Sequence, residues 1–375
     1  MKTNEKKAND ALKPVSPDGN PVDNAIDRLF DEISALIADA RKRVAVGVNS
    51  ELTRLNWNIG SCINREILGH GRAEYGKQVV KGLSIRLVRW HGSGWDEKTL
   101  RHCLRVAETF SENEIVSASR RQLSWTHIKT LAYIPEALKR QFYLEMCATE
   151  HWGTRALQGR IASMMYERTA IAKKPDEVIK KDIAALRDDG KMSADLAFRD
   201  PYVLDFLGLR GDFSERELEK ALVSDMRNAI LELGGDMAFL AEQKRISVDN
   251  EDYYLDLLFF HRRLRRLVAI DLKIDTFKAE YKGQMELYLK WLEKNERRDG
   301  EKKPIGLILC AGKNEEHVEL LELGRSNIRV ASYMTELPPK KVLEEKLRMA
   351  IESARNRLAA RKGGRNDGQS APNGL

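Results

Sequence analysis

Three charges stand where a buried strand would not ordinarily carry them. In YYLDLLFF, Asp256 is the only charge among apolar and aromatic residues. In VAIDLKI, Asp271 and Lys273 stand two residues apart inside an apolar run. A buried charge costs several kcal/mol unless it is paired or binds a metal. Side chains alternate along a strand, so Asp271 and Lys273 share one face and Leu272 and Ile274 the other. Only HRRLRRL separates the two segments, so they are expected to be neighbouring strands, with Asp256 beside Asp271. Two close carboxylates raise each other's pKa. A divalent cation removes that repulsion, and hard oxygen donors favour Mg2+ or Mn2+. A lysine on the same face would stabilise developing negative charge or orient a water. Taken alone, an Asp–x–Lys pair is more often a solvated or paired couple, so the surrounding elements must decide.

From Ser214 the sequence has the grammar of an α/β domain. Ser214 with Glu217 makes a capping box that opens a helix running to about Leu233. Strands are expected at about 242–248, 253–260 and 267–274, with DNED and HRRLRR as the turns. A helix follows at about 277–296. PIGLILC is then a buried strand, a helix covers about 315–323, IRVASYM is another strand, and a last helix runs from Lys340 to about Arg361. Three strands joined by tight turns pair as a meander, and a strand reached through a helix can be parallel. The fold class is therefore a mixed sheet flanked by helices. On the helix after the third strand, Gln284 falls inside the apolar stripe of Tyr281, Met285, Tyr288, Leu289 and Leu292. Gln284 and Tyr288 are i, i+4 partners, and a polar group on a buried stripe must find a hydrogen bond.

The rest of the chain is of another kind. Residues 22–170 read as all helix. Apolar residues recur at helical spacing from Ile26 through Val44 and onward to Ile59, GHGRAEYG interrupts them, and a helix covers about 77–90. Asp96 is an N-cap with Glu97 in the first turn, and further helices cover about 125–131, 136–149 and 154–167. Residues 171–213 mix charge, Gly and Pro and read as a connector; residues 1–21 and 362–375 read as disordered polar ends. The length of 375 residues suits two domains. No apolar run is long enough to span a membrane, and the N-terminus has no apolar signal segment. Four scattered cysteines without a CxxC argue against a zinc or disulfide framework and fit a reducing cytoplasm. The net charge of +7 is compatible with a nucleic-acid partner without proving one.

These residues together resemble the YhcG-like family of PD-(D/E)xK nucleases. Asp256 followed by Asp271–x–Lys273 matches the nuclease signature, and Gln284-xxx-Tyr288 resembles the extra motif of RecB-like members. The wider phrases ERELEKAL, YYLDLLFFHRRLRRLVAIDLKIDTFKAEYKGQMELYL and PIGLILC are more specific. VNSELTRLNWNIG, AEYGKQVVKGLS and QLSWTHIKTL resemble that family's helical N-terminal domain. The resemblance spans about residues 25–338. It implies a restriction-endonuclease-like C-terminal domain (214–361) behind an all-α, winged-helix-like N-terminal domain that recruits nucleic acid or a partner. It also implies metal-dependent phosphodiester hydrolysis, with DNA as the favoured substrate and RNA still open. Asp256 and Asp271 would bind the metal, with the backbone carbonyl of Leu272, and Lys273 would be the catalytic lysine. A helix glutamate often completes such sites; Glu219 is the choice and Glu217 the rival, since the two point about 200° apart. Family members usually carry Glu where this chain has Asp271, one methylene shorter.

Two basic groups have both a bland and a functional reading. Arg262, Arg263 and Arg265 in HRRLRR are a solvated hairpin tip or a phosphate-contacting loop. Lys98, Arg101 and Arg105 share a face on the second helix of a helix-turn-helix-like pair around HGSG, either meeting water or contacting DNA. His127 and His261 are read as structural. Double-strand cutting is simplest with two sites, so a homodimer is an expectation, with the first and last helices as interfaces. The competing class is an adaptor that binds nucleic acid without cutting it, and a further reading is the nuclease arm of a defence or mobile-element system.

Overall fold

The computed structural model describes residues 49–65 and 73–366. The predicted arm at 1–21, the first helix as far as residue 48 and the tail from residue 367 lie outside the described residues. The chain divides into two compact units, residues 1–129 and 130–375.

In the first unit, α1 (49–65), α2 (Ala73–His91) and α3 (Glu97–Thr109) share a core of Ile63, Val80 and Leu100, flanked by Ile59, Leu83, Leu87 and Leu104. Gly60 lets α1 and α3 meet closely: a Cβ there would lie 2.0 Å from the Cys103 carbonyl oxygen. Asp96 caps α3 as its position predicts, its Oδ1 accepting from the Thr99 amide at 2.7 Å. α4 (Glu112–Arg120) follows, and the division falls in α5 (Trp125–Ala132). At the start of α5 the buried His127 accepts the Ser124 amide at Nδ1 (3.1 Å), a helix-start role. Among the described residues this unit contains no strand.

The second unit begins with α6 (Ala137–Thr149), α7 (Thr154–Ala162), α8 (Met165–Arg168), α9 (Asp176–Asp189) and α10 (Ala194–Ala197). The sequence suggests one helix over 154–167; it breaks at Met164, whose φ is 53°. Strand β1 (Tyr202–Val203) comes next, inside the stretch read as a connector. The long helix expected after Ser214 is split into α11 (Glu215–Ser224) and α12 (Met226–Leu233), because Asp225 leaves the helical path and caps α12 through the Asn228 amide. The rest is β2 (Met237–Val248), β3 (Glu251–His261), β4 (Arg266–Thr276), α13 (Glu280–Asn295), β5 (Ile305–Gly312), α14 (Glu315–Leu320), β6 (Ile328–Met334) and α15 (Lys340–Asn366). The six strands lie in the order β1-β6-β5-β4-β3-β2. β2, β3 and β4 form the antiparallel meander, and β5 and β6 extend it in parallel, as tight turns and helical crossovers require. α13 packs on the sheet through Met285, Leu289 and Leu292. A Cβ at Gly306 would lie 2.5 Å from Met285 Cγ, so glycine there lets the helix settle on β5. Among the described residues no helix is long and apolar enough to cross a membrane.

Two buried ionic clusters tie this unit together. Arg168 Nη1 donates to Glu232 Oε1, the Val203 amide donates to the same oxygen (2.9 Å), and Arg199 Nη1 lies 3.2 Å from Glu232 Oε2. In the second cluster, Asp200 Oδ2 accepts from Lys173 (2.6 Å) and Lys313 (2.5 Å), and its Oδ1 accepts from the Ser332 amide (3.1 Å). Burial by itself would raise the Asp200 carboxyl, but Lys313 and Lys173 outweigh it and hold it far below the ordinary carboxylate range. A depressed folded-state pKa stabilises the protein above the unfolded value of about 3.9 and ceases to do so as pH falls toward the folded one. The stability advantage of wild type over Asp200→Asn should therefore be full at pH 6 and shrink steadily below about pH 4. Urea unfolding of both proteins across that range checks this; a gap independent of pH would refute it.

Candidate active site

The site forms where β3 and β4 part. Their register places Leu257 opposite Ile270, so one residue further Asp256 stands abreast of Asp271. Beyond that pair, the Leu272 amide donates to Asp256 Oδ2 at 2.7 Å. On its other side β4 stays in parallel register with β5 through Lys273 and becomes irregular between Lys273 and Thr276. Strand irregularities of this kind re-aim side chains beside functional sites. Lys273 lies on the same face as Asp271, its Nζ 3.0 Å from Asp271 Oδ2. The approach lacks the direction of a hydrogen bond, so this buried oxygen is ion-paired without being hydrogen-bonded.

Glu219 and Glu217, the two rivals on α11, have separate fates. Glu217 closes the capping box, accepting the Ser214 amide at 2.8 Å. Glu219 is buried and turns toward Asp256, and Gln243 Nε2 joins them, donating to Glu219 Oε2 (2.8 Å) and Asp256 Oδ1 (3.2 Å). These residues border an open hollow of about 540 Å³, lined also by Glu215, Arg216, Lys220 and Glu242. Gln243 is absent from the sequence expectations: a polar residue on an exposed edge strand carries no signal of spacing.

Burial raises the carboxyls of Asp271, to about 6, and of Asp256; Lys273 opposes the rise at both, and at Asp271 the charge of Asp256 adds to it. Glu219 is raised by burial too, against the Gln243 hydrogen bond. Burial would lower the Lys273 ammonium, but Asp271 outweighs it and the group is held above its ordinary value as a cation. Its Nζ also lies 5.2 Å from the ring centre of Tyr281, a residue that the sequence presents only as part of an apolar stripe.

Residues 195–348 match the family model described as the YhcG PDDEXK nuclease domain, and residues 32–168 match the DUF1016 N-terminal domain. A protein of Escherichia coli (strain K12) named "Putative nuclease YhcG" is 31% identical over 352 residues, covering 85% of this chain and 93% of its own length. The chain belongs to the YhcG nuclease family. Two solved structures also overlap it in part. One is a repair endonuclease from Pyrococcus abyssi (17% identity, 35% of this chain and 50% of that one, TM-score 0.24). The other is an EndoMS complex with double-stranded DNA (14%, 35% and 49%, TM-score 0.26). The chain thus spans about half the length of each.

In this YhcG-family chain Gln284 and Tyr288 sit one step behind the carboxylates. Gln284 Nε2 donates to the Tyr288 hydroxyl (2.6 Å), which donates to the Tyr254 carbonyl (3.1 Å), bracing β3 two residues before Asp256. The HRRLRR turn lies at the start of β4, roughly 17 Å along the strand from Asp271 at about 3.3 Å per residue. Arg263 there is held by Asp236 (2.7 Å) and by the Thr149 carbonyl (2.7 Å), while Arg262 and Arg265 are exposed. His261 closes the turn, its Nδ1 accepting the Leu264 amide (3.2 Å), and burial lowers its pKa to about 4. In the first unit Lys98 is exposed, Arg101 donates to Glu97 (2.5 Å) and Arg105 lies 3.9 Å from Glu108.

The donors suit a hard divalent ion. Asp256 and Asp271 offer oxygen atoms in a partly buried setting with excess negative charge, and Asp271 Oδ2 has no hydrogen bond. Among the described residues no three His, Cys, Asp or Glu side chains form a ready-made metal cage; Glu219 reaches the pair only through Gln243.

Proposed function

We propose that this chain is a metal-dependent endonuclease that hydrolyses phosphodiester bonds, with DNA as substrate and Mg2+ or Mn2+ as cofactor. The observation that carries the reading is the meeting of Asp256, Asp271 and the ammonium of Lys273 beside an open hollow bordered by Glu219. Asp256 and Asp271, with the Leu272 carbonyl and Glu219, would hold the ion. When bound, such an ion neutralises phosphate oxygens and makes a water more acidic. Lys273 places its ammonium where charge grows on the phosphate and orients the attacking water. Asp271 keeps Lys273 protonated and Tyr281 shields it, while Gln284 and Tyr288 keep β3 in place. No covalent enzyme intermediate is needed.

The test is incubation of plasmid, linear and single-stranded DNA, and RNA, with the full chain and Mg2+ or Mn2+, beside Asp256→Ala. Metal-dependent cleavage lost in the variant supports the reading. Binding without cleavage in either metal supports the adaptor instead. The reading extends to a homodimer, since two sites cut two strands, and sedimentation with and without DNA measures it. It extends also to the cytoplasm, where Cys103, Cys147 and Cys310, all buried and unpaired, would stay reduced.

The helical unit would deliver the nucleic acid through Lys98, Arg101 and Arg105. Replacing all three with alanine should weaken binding evenly across sequences and reduce the slope of log affinity against log salt by about one for each phosphate no longer neutralised. A slope unchanged from wild type would leave that face to solvent.

A further inference from the structure

Gln243 is unusual in both backbone and side chain. It lies inside β2 with φ of 44°, a left-handed conformation that a non-glycine residue adopts only at an energetic cost and that often accompanies a functional constraint. The ladder on either side of it is in step, with Glu242 opposite Leu257 and Lys244 opposite Leu255, so Gln243 stands opposite Asp256; the irregularity in β2 falls earlier, between Phe239 and Ala241. The strained backbone therefore does not compensate for an inserted residue.

The side chain supplies a reason for it. An amide nitrogen has two hydrogens. Gln243 gives one to Glu219 Oε2 at 2.8 Å and one to Asp256 Oδ1 at 3.2 Å. The two acceptors come from α11 and β3, and like charges at this range repel. A neutral donor holds them together without adding a positive charge that would compete with a cation. A carboxylate oxygen that accepts one hydrogen bond keeps a further lone pair for another partner.

We propose that Gln243 is a positioning residue: it sets the separation of Glu219 and Asp256 so that they meet a divalent cation as a preformed pair. This rests on the nuclease reading above. It differs from a role in the fold alone, in which the side chain would only steady β2.

The test is calorimetric titration of Mn2+ into the full chain, with Gln243→Gly and Gln243→Met, together with thermal melting and plasmid cleavage across metal concentrations. Glycine accepts the left-handed backbone without steric cost, and methionine keeps the length without the donor. Gln243→Gly should melt at or above the wild-type temperature. Both variants should bind Mn2+ about 10- to 100-fold more weakly, the range found when a partner that orients a metal ligand is lost. The metal concentration for half-maximal cleavage should rise in proportion, with DNA affinity unmoved. If Gln243→Gly fails to fold, Gln243→Met decides. Wild type that binds Mn2+ and cuts DNA, beside a folded Gln243→Met of equal metal affinity, overturns this inference alone. Wild type that neither binds Mn2+ nor cuts overturns the nuclease reading and this inference with it.

Discussion

Lys273→Ala should lower the rate of metal-dependent DNA cleavage by about 10²- to 10³-fold, the usual effect of removing one group aimed at developing charge. Lys273 is held as a cation 3.0 Å from Asp271 and 5.2 Å from the Tyr281 ring centre. A side chain anchored on two sides loses little freedom in the transition state, so its charge acts without reorganisation. The loss should appear in kcat, because the exposed cations of the molecule remain to bind the backbone; DNA affinity should change by less than about threefold. Asp256→Ala should cost at least as much, since it removes one of the two carboxylates at the centre of the site and the acceptor of the Leu272 amide. Single-turnover cleavage at saturating protein, with filter binding on the same DNA, measures both. Cleavage that persists at the wild-type rate in both variants would sink the assignment. Lys273→Arg is not expected to rescue: the planar guanidinium is larger and differently shaped than the ammonium, and Lys273 is largely enclosed.

Glu232→Ala is expected to be the most destabilising single change, at about 3–5 kcal/mol. Glu232 accepts from Arg168 and the Val203 amide and is ion-paired with Arg199, and both arginine side chains are almost fully buried. Its carboxyl is raised by burial, but Arg199 and Arg168 overcome this and hold it below the ordinary range. Removal leaves two guanidinium groups in the interior with their charge uncompensated, and that penalty is the origin of the effect. At roughly 2–4 °C per kcal/mol for a unit of this size, the melting temperature should fall by about 6–20 °C. Half-exposed Glu97, paired with Arg101 on α3, provides the contrast: Glu97→Ala should change stability by no more than about 0.5 kcal/mol. Equal effects from the two substitutions would show that the buried cluster does not hold the fold.

The parts of the fold that were legible in the sequence depend on short-range rules. Alternation along a strand is enough to put Asp271 and Lys273 on one face, and the structure pairs them. Ser214 with Glu217, and Asp96 with its first turn, mark helix starts because a cap is made within four residues. The meander of β2, β3 and β4 follows from turns too short to allow anything else. Strand β1 escapes this reading because two residues carry no period, and its pairing with β6 depends on a segment far along the chain.

The candidate site divides in the same way. By itself the sequence determined which residues could do chemistry and which strand face they share, since residue type and a two-residue repeat are local properties. The cap at Glu217 is already marked in the sequence by Ser214, whereas only the tertiary structure buries Glu219 beside Asp256. It also decided that Arg263 is taken up by Asp236 and Thr149, and that Gln243 joins two carboxylates from different elements. A hydrogen bond between distant segments depends on where the sheet carries each backbone, and no pattern within either segment records that distance.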